Sequence, residues 1–395
     1  MYPAGLTRGL KTVLNEKKMQ NEMKAHIYVV TIIFLLSGCF LNAQNLLEGD
    51  LDDFISTIIK QNKLPGLSIA IVMDDSIIYA KGFGVRKTGD PDPVNEHTLF
   101  EAASLTKTFT ATLIGSLVDH GKINWTDPVI KYIPDFETSE PFVTQRLTIQ
   151  DLLTLRSGLL DGDKLSGKSR MELIPQIKTL KISNSFRLSQ TSYNLNYTLA
   201  GIVAEMVYGK SWEEIVKREI LSPLKMNETF TDIQSALSSS KNIAYPHRIN
   251  DGKVISIEWN DFGAIYSPAE GIVSNVVDLA KWIRLQLNRG TLENISIIKS
   301  ETLDDIQNPQ TLTLDQFKGY FNPQANIMAI GLGWLISDYK GLKVIQMGGL
   351  FPGTSNLITI IPSRKVGIVI QSNISHAFNS FVQINYKVFD DLISQ

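Results

Sequence analysis

One pair of side chains stands at a spacing suited to covalent chemistry: Ser104 and Lys107, in Phe100-Glu101-Ala102-Ala103-Ser104-Leu105-Thr106-Lys107-Thr108-Phe109. Three residues apart on a helix, the two side chains share a face one turn apart, and the amine reaches the hydroxyl. A serine is a weak nucleophile until a neighbouring base takes its proton. A lysine withdrawn from water loses part of its preference for the charged state and becomes such a base. The string S-x-x-K is weak evidence alone, since it recurs at Ser222, Ser238, Ser296 and Ser337. Only the first copy opens an apolar helical stripe, through Phe109, Leu113, Ile114, Leu117 and Val118. A serine at such a start meets free N–H groups and the positive dipole end, which favour developing negative charge. The plainer alternative is an N-cap serine followed by a surface lysine, the reading that fits the other four copies.

The composition limits what else the chain does. Its 395 residues suit one large or two ordinary domains, and 43% hydrophobic with 20% charged residues is a globular balance. A net charge of −2 carries no electrostatic footprint for nucleic acid. The single cysteine, Cys39, lies inside an N-terminal apolar run, so the body has no thiol for disulfides, metal sites or nucleophilic attack. His97, His120, His247 and His376 are scattered without H-E-x-x-H spacing, and neither a metal nor another cofactor is expected. His247 reads as a solvated loop histidine. No G-x-S-x-G elbow, phosphate loop or dinucleotide fingerprint is present. Trp125, Trp212, Trp259, Trp282 and Trp334 read as core residues.

Residues 1–43 read as a secretory signal: Lys17, Lys18 and Lys24 precede the short apolar run Ile27–Leu36. Two exits compete. Cleavage after Ala43 is favoured, because apolar Phe40-Leu41 makes a poor start for a mature lipoprotein. The alternative, Leu36-Ser37-Gly38-Cys39, has the form of a lipobox, and Cys39 would then carry the only membrane attachment expected. Either exit places the body outside the cytoplasm.

The elements that must position Ser104 lie at both ends of residues 46–395. Leu46 to Gln61 has helical spacing. Leu67–Met73 and Ile77–Gly84, parted by Asp74-Asp75-Ser76, read as a β-hairpin. Near the end, Leu342–Met347, Asn356–Ile361 and Val366–Gln371 are β-branched runs, followed by a helix through Phe378, Phe381, Val382, Tyr386, Val388, Phe389 and Leu392. Between these ends, roughly over 125–330, the period is mostly helical. The pattern predicts an α/β (α+β) fold: one antiparallel sheet built from the two chain ends, with a helical region inserted.

Several collinear blocks resemble the serine β-lactamase and D-alanyl-D-alanine carboxypeptidase superfamily, in its class C-like and esterase-like branch. They are the Ser104 string, Gly121-Lys122-Ile123-Asn124-Trp125-Thr126-Asp127-Pro128, Leu147-Thr148-Ile149-Gln150-Asp151-Leu152-Leu153 with Ser157-Gly158-Leu159, Asn196-Tyr197-Thr198-Leu199-Ala200-Gly201, and Gly271-Ile272-Val273-Ser274 with Asp278-Leu279-Ala280. The resemblance implies a sheet flanked by helices beside an all-helical region, with the site in the groove between them. It also implies acyl-enzyme chemistry without a metal, Ser104 attacking a carbonyl and Lys107 taking its proton.

The chain departs from that family's pattern twice. Where a Tyr-x-Asn motif is usual, Ser192-Tyr193-Asn194 stands instead. Ser192 would relay protons beside Lys107, and Asn194 would orient the substrate; Tyr193, one residue out of register on an extended loop, would point away. Where Lys-Thr-Gly or His-x-Gly is usual, the chain reads Gln346-Met347-Gly348-Gly349. Gln346 keeps hydrogen-bonding capacity without charge, which shifts the expected substrates towards neutral esters or amides. Gly348 and Gly349 permit close backbone approach, and the N–H groups of Ser104 and Gly349 would form the oxyanion hole. Leu350-Phe351-Pro352-Gly353 is either a pocket wall or a simple hairpin turn. The expected activity is hydrolysis of a small ester, amide, D-amino-acid peptide or β-lactam; the alternative is a catalytically weak or inactive ligand-binding module of the same fold.

Overall fold

The computed structural model describes residues 49–183, 186–188, 190–191, 193–259, 264–313 and 315–393. The expected signal segment, Cys39 and Ser192 lie outside the described residues. The chain divides into two units, Met1–Phe54 and Ile55–Gln395. In the first, residues 49–54 are helical; the second opens with helical residues 55–62.

The second unit is built on an eight-stranded sheet. Its strands are β1 (Gly66–Met73), β2 (Ser76–Gly84), β3 (Thr311–Leu312), β4 (Met328–Ile330), β5 (Leu335–Tyr339), β6 (Leu342–Phe351), β7 (Thr354–Ile361) and β8 (Val366–Ser372). The order is β2-β1-β8-β7-β6-β5-β4-β3, and every neighbouring pair is antiparallel. The first and last strands of the sheet pair directly, Ile69 opposite Ile370, so early and late segments of the chain do join in one sheet. The far edge was not expected: β3 and β4 fall within the stretch assigned to helices, and the helical insertion ends before Thr311. Both are too short to show a period of two.

Side-chain alternation divides the sheet into two faces. One face meets the terminal helix Phe378–Ile393, where Asn385 Nδ2 donates to Thr359 Oγ1 at 2.8 Å. The other meets the helix Val276–Leu287, whose Ile283 packs so close to Gly367 that a Cβ there would lie 2.3 Å from it. It also meets the helix that begins beside Ser104. His247 is a correction. It is fully buried, with Nε2 accepting from the Thr88 N–H at 2.9 Å and Nδ1 3.0 Å from the Asn373 carbonyl. That partnering fixes a neutral ring, and burial holds its pKa below the usual value.

Candidate functional site

Ser104 lies in the 3-10 turn Ala103–Leu105, directly ahead of α1 (Thr106–Asp119). Ala103, buried, adopts φ 49°, a left-handed conformation that L-residues seldom hold without surrounding support. Flanking contacts supply that support. Phe100–Glu101 pairs with Val273–Ser274, and the Ala102 N–H donates to the Ile272 carbonyl at 2.8 Å. Asn356 Nδ2 on β7 donates to the Glu101 carbonyl at 2.9 Å. α1 is held on every side: Phe109 stacks on Trp282 at 4.0 Å, while Trp282 and Trp212 donate indole N–H bonds to Thr108 and Thr110.

Lys107, 2% exposed, brings its Nζ within 2.7 Å of Ser104 Oγ. It also donates to Asn194 Oδ1 at 2.9 Å and to the Ala269 carbonyl at 3.3 Å. Burial holds its pKa below the ordinary lysine value, against the opposing pull of the Glu270 and Asp163 carboxylates. Asn194 is the second residue of α2 (Tyr193–Tyr208). Asp163 caps that helix, accepting the N–H groups of Asn194 and Leu195 at 2.9 and 2.8 Å, which fixes the Asn194 side chain over Lys107. The other end of the amide donates to Glu270 Oε1 at 2.7 Å, at the end of α3 (Ser267–Glu270). Burial raises the Glu270 pKa, opposed by Lys107 and by the Asn194 bond. Tyr197 is buried with its hydroxyl on the Leu153 carbonyl and its ring 5.8 Å from Lys107 Nζ.

The sheet edge forms the opposite wall. β5 pairs only with Leu342–Gln346 of β6, so Met347–Phe351 has β7 on one side and, among the described residues, no strand on the other. Two-residue turns close both hairpins, at Lys340-Gly341 and Pro352-Gly353. Pairs flanking such turns exchange both backbone hydrogen bonds, and bonding direction alternates along the strand. Counting from either turn gives one answer: Met347, Gly349 and Phe351 turn their N–H and C=O groups to β7, while Gly348 and Leu350 turn theirs to the open edge.

Two sequence expectations are thereby corrected. Gly349 is needed for close approach, since a Cβ there would lie 2.2 Å from the Ala102 carbonyl and 3.2 Å from Ser104 N. Its own N–H faces β7, away from the groove. Gln346, 1% exposed, pairs with Thr359 and shares the face covered by the terminal helix. Met347, not Gln346, faces the pocket. A strand slip of one residue reverses every side chain, and the frame assigned from sequence was one residue early. Tyr193 is corrected too, because it begins a helix and its ring lines the pocket. Ser104, Lys107 and Gly348 line the same pocket, Asn194 adjoins it through Lys107, and Leu350-Phe351-Pro352-Gly353 is both wall and turn. Sequence reasoning missed Asp163 and Glu270. Glu270 directly precedes the Gly271 block, but nothing in its spacing points to Lys107.

Comparison with known proteins agrees with this architecture. The Beta-lactamase family model matches residues 51–392, and the chain belongs to that family. Among its relatives, an unguisins hydrolase of Aspergillus violaceofuscus is 26% identical over 89% of this chain and 65% of its own length. A beta-lactamase of Escherichia coli strain K12 is 27% identical over 86% of this chain and 92% of its own. The chain thus spans just under two thirds of the fungal relative. The octameric penicillin-binding protein homologue from Pyrococcus abyssi superposes with a TM-score of 0.74 at 25% identity, covering 86% of this chain and 76% of that one. The chain has the β-lactamase/transpeptidase-like fold.

Proposed function

We propose that the protein is an exported serine hydrolase that forms an acyl-enzyme at Ser104, acting on a small ester, amide, D-amino-acid peptide or β-lactam. The observation that carries this reading is the 2.7 Å contact between Ser104 Oγ and a buried Lys107 whose pKa is held down. In the neutral state Lys107 accepts the serine proton while Oγ bonds to the substrate carbonyl carbon. The oxyanion is held by the N–H groups of Ser104 and, in place of Gly349, Leu350, which faces the open edge. Lys107 then passes its proton to the leaving oxygen or nitrogen, Ser192 serving as relay and Asn194 orienting the substrate. Water releases the acyl group by the reverse sequence. Export rests on the basic, then apolar N-terminal residues, with cleavage after Ala43 or lipidation at Cys39.

The test is intact-mass labelling of the purified protein with a fluorophosphonate. Wild type should gain one adduct and Ser104→Ala none. A folded wild type that resists labelling would overturn the hydrolase reading in favour of a ligand-binding module.

A further inference from the structure

The pocket beside Ser104 has a volume of about 350 Å³, near the small end of ~300–1,000 Å³ for small-molecule sites. Its wall is mostly apolar. α4 (Asp315–Phe321), inserted between β3 and β4, contributes Phe317, Tyr320 and Phe321. A chain of ring contacts crosses the groove from the helical side to the terminal helix packed on the sheet: Tyr193 to Phe317 at 6.0 Å, Phe317 to Phe321 at 6.3 Å, and Phe321 to Phe378 at 5.2 Å. Phe321 reaches this place because residue 348 is glycine; a Cβ there would lie 2.0 Å from its ring. Met347 and Leu350 complete the sheet side.

Charge is missing from this wall. Among the described residues, Lys107 is the only cationic side chain lining the pocket. Its Nζ already faces three acceptors, Ser104 Oγ, Asn194 Oδ1 and the Ala269 carbonyl. A neutral amine has two protons, for Asn194 and Ala269, and a lone pair that meets the Ser104 hydroxyl, while an ammonium spends its three protons on the same three partners; in either state none is left for a substrate carboxylate. A carboxylate entering the pocket would shed water without gaining a partner, which is costly, whereas a ring or branched chain gains burial.

We infer that the substrates are neutral esters or amides carrying an apolar ring or branched chain beside the scissile carbonyl, and that carboxylate-bearing analogues are rejected. This specificity rests on Ser104 acting as the nucleophile.

A matched pair of esters tests it: p-nitrophenyl 4-methylpentanoate against p-nitrophenyl hydrogen succinate, in which a carboxylate replaces the isopropyl group. The neutral ester should have kcat/KM higher by about 100-fold or more. Met347→Lys, which sets a cation facing the pocket, should raise kcat/KM for the succinate at least ~10-fold and lower it for the neutral ester. Fluorophosphonate labelling of Ser104 in both proteins reports separately on fold and nucleophile. If labelling is intact and the succinate is the equal or better wild-type substrate, the specificity is wrong and the hydrolase reading stands. A labelled protein that turns over neither ester also overturns the specificity. Absence of labelling in folded wild type removes the reading beneath it. Should Met347→Lys fail to label, Phe321→Leu serves instead, and it should reduce the preference for the neutral ester.

Discussion

The two walls of the groove are built on opposite principles. On the helical side, Ser104, Asn194, Asp163 and Glu270 form a polar chain around buried Lys107 in which each member meets the next by a hydrogen bond or its charge. On the sheet side, Met347, Leu350, Phe321 and Phe378 offer area and shape with little polarity. A buried polar network tolerates little change, since an orphaned member loses its solvation without compensation. An apolar wall accepts exchange of volume with modest loss. The helical side is therefore suited to preserve reaction chemistry, and the sheet side to vary with substrate.

The largest effect that would sharpen this contrast is expected at Lys107. Lys107→Met should lower the rate of Ser104 acylation by ~10²–10⁴-fold, the usual range for loss of a general base, and should also lower stability by ~1–3 kcal/mol, because Asn194 Oδ1 and the Ala269 carbonyl lose their donor. Stopped-flow acylation and a melting curve read both, and unchanged stability would break the contrast. Ser192→Ala should slow acylation by about 10²-fold if the relay holds; an unchanged rate would remove Ser192 from the mechanism. Gly349→Ala should cost ~1–3 kcal/mol in denaturant unfolding, because backbone rather than a side-chain tip blocks the new methyl. It should also slow acylation by displacing Ser104. The smallest effect is a shift in pH dependence. The reaction needs neutral Lys107, so kcat/KM should rise as pH climbs through its depressed pKa. Glu270→Gln removes a charge that favours the ammonium, so the acidic limb should move to lower pH. Movement to higher pH would refute the assignment of that limb to Lys107.

How much of this was legible depends on whether the signal was local. The hairpin Gly66–Gly84 and the terminal helix were readable from spacing, and both appear close to their expected limits. The five S-x-x-K strings show what context adds. Ser337 and Lys340 carry the same spacing, yet Ser337 lies on β5 beneath Asn322, and Lys340 reaches Asp390 from a turn. Only a helix folds that spacing into contact. The Gln346 frame was misassigned because Gln346-Met347-Gly348-Gly349 offers two overlapping x-x-Gly readings. Lys340-Gly341 and Pro352-Gly353 held the answer, since either turn sets the facing of the whole strand. Asp163, Glu270 and the aromatic wall of α4 were not legible, because their role comes only from segments far apart in sequence.

The half of β6 that borders the groove is also an unfinished sheet edge. Such edges invite another chain to add itself as the next strand, the first step of aggregation in many β proteins. Here β5 leaves after Gln346, and the Phe321 ring lies over the face of Gly348, beside that open edge. The aromatic helix thus crowds the approach to that edge as well as shaping the pocket. Trimming it to admit larger substrates would be expected to expose a surface on which copies of the protein pair with one another.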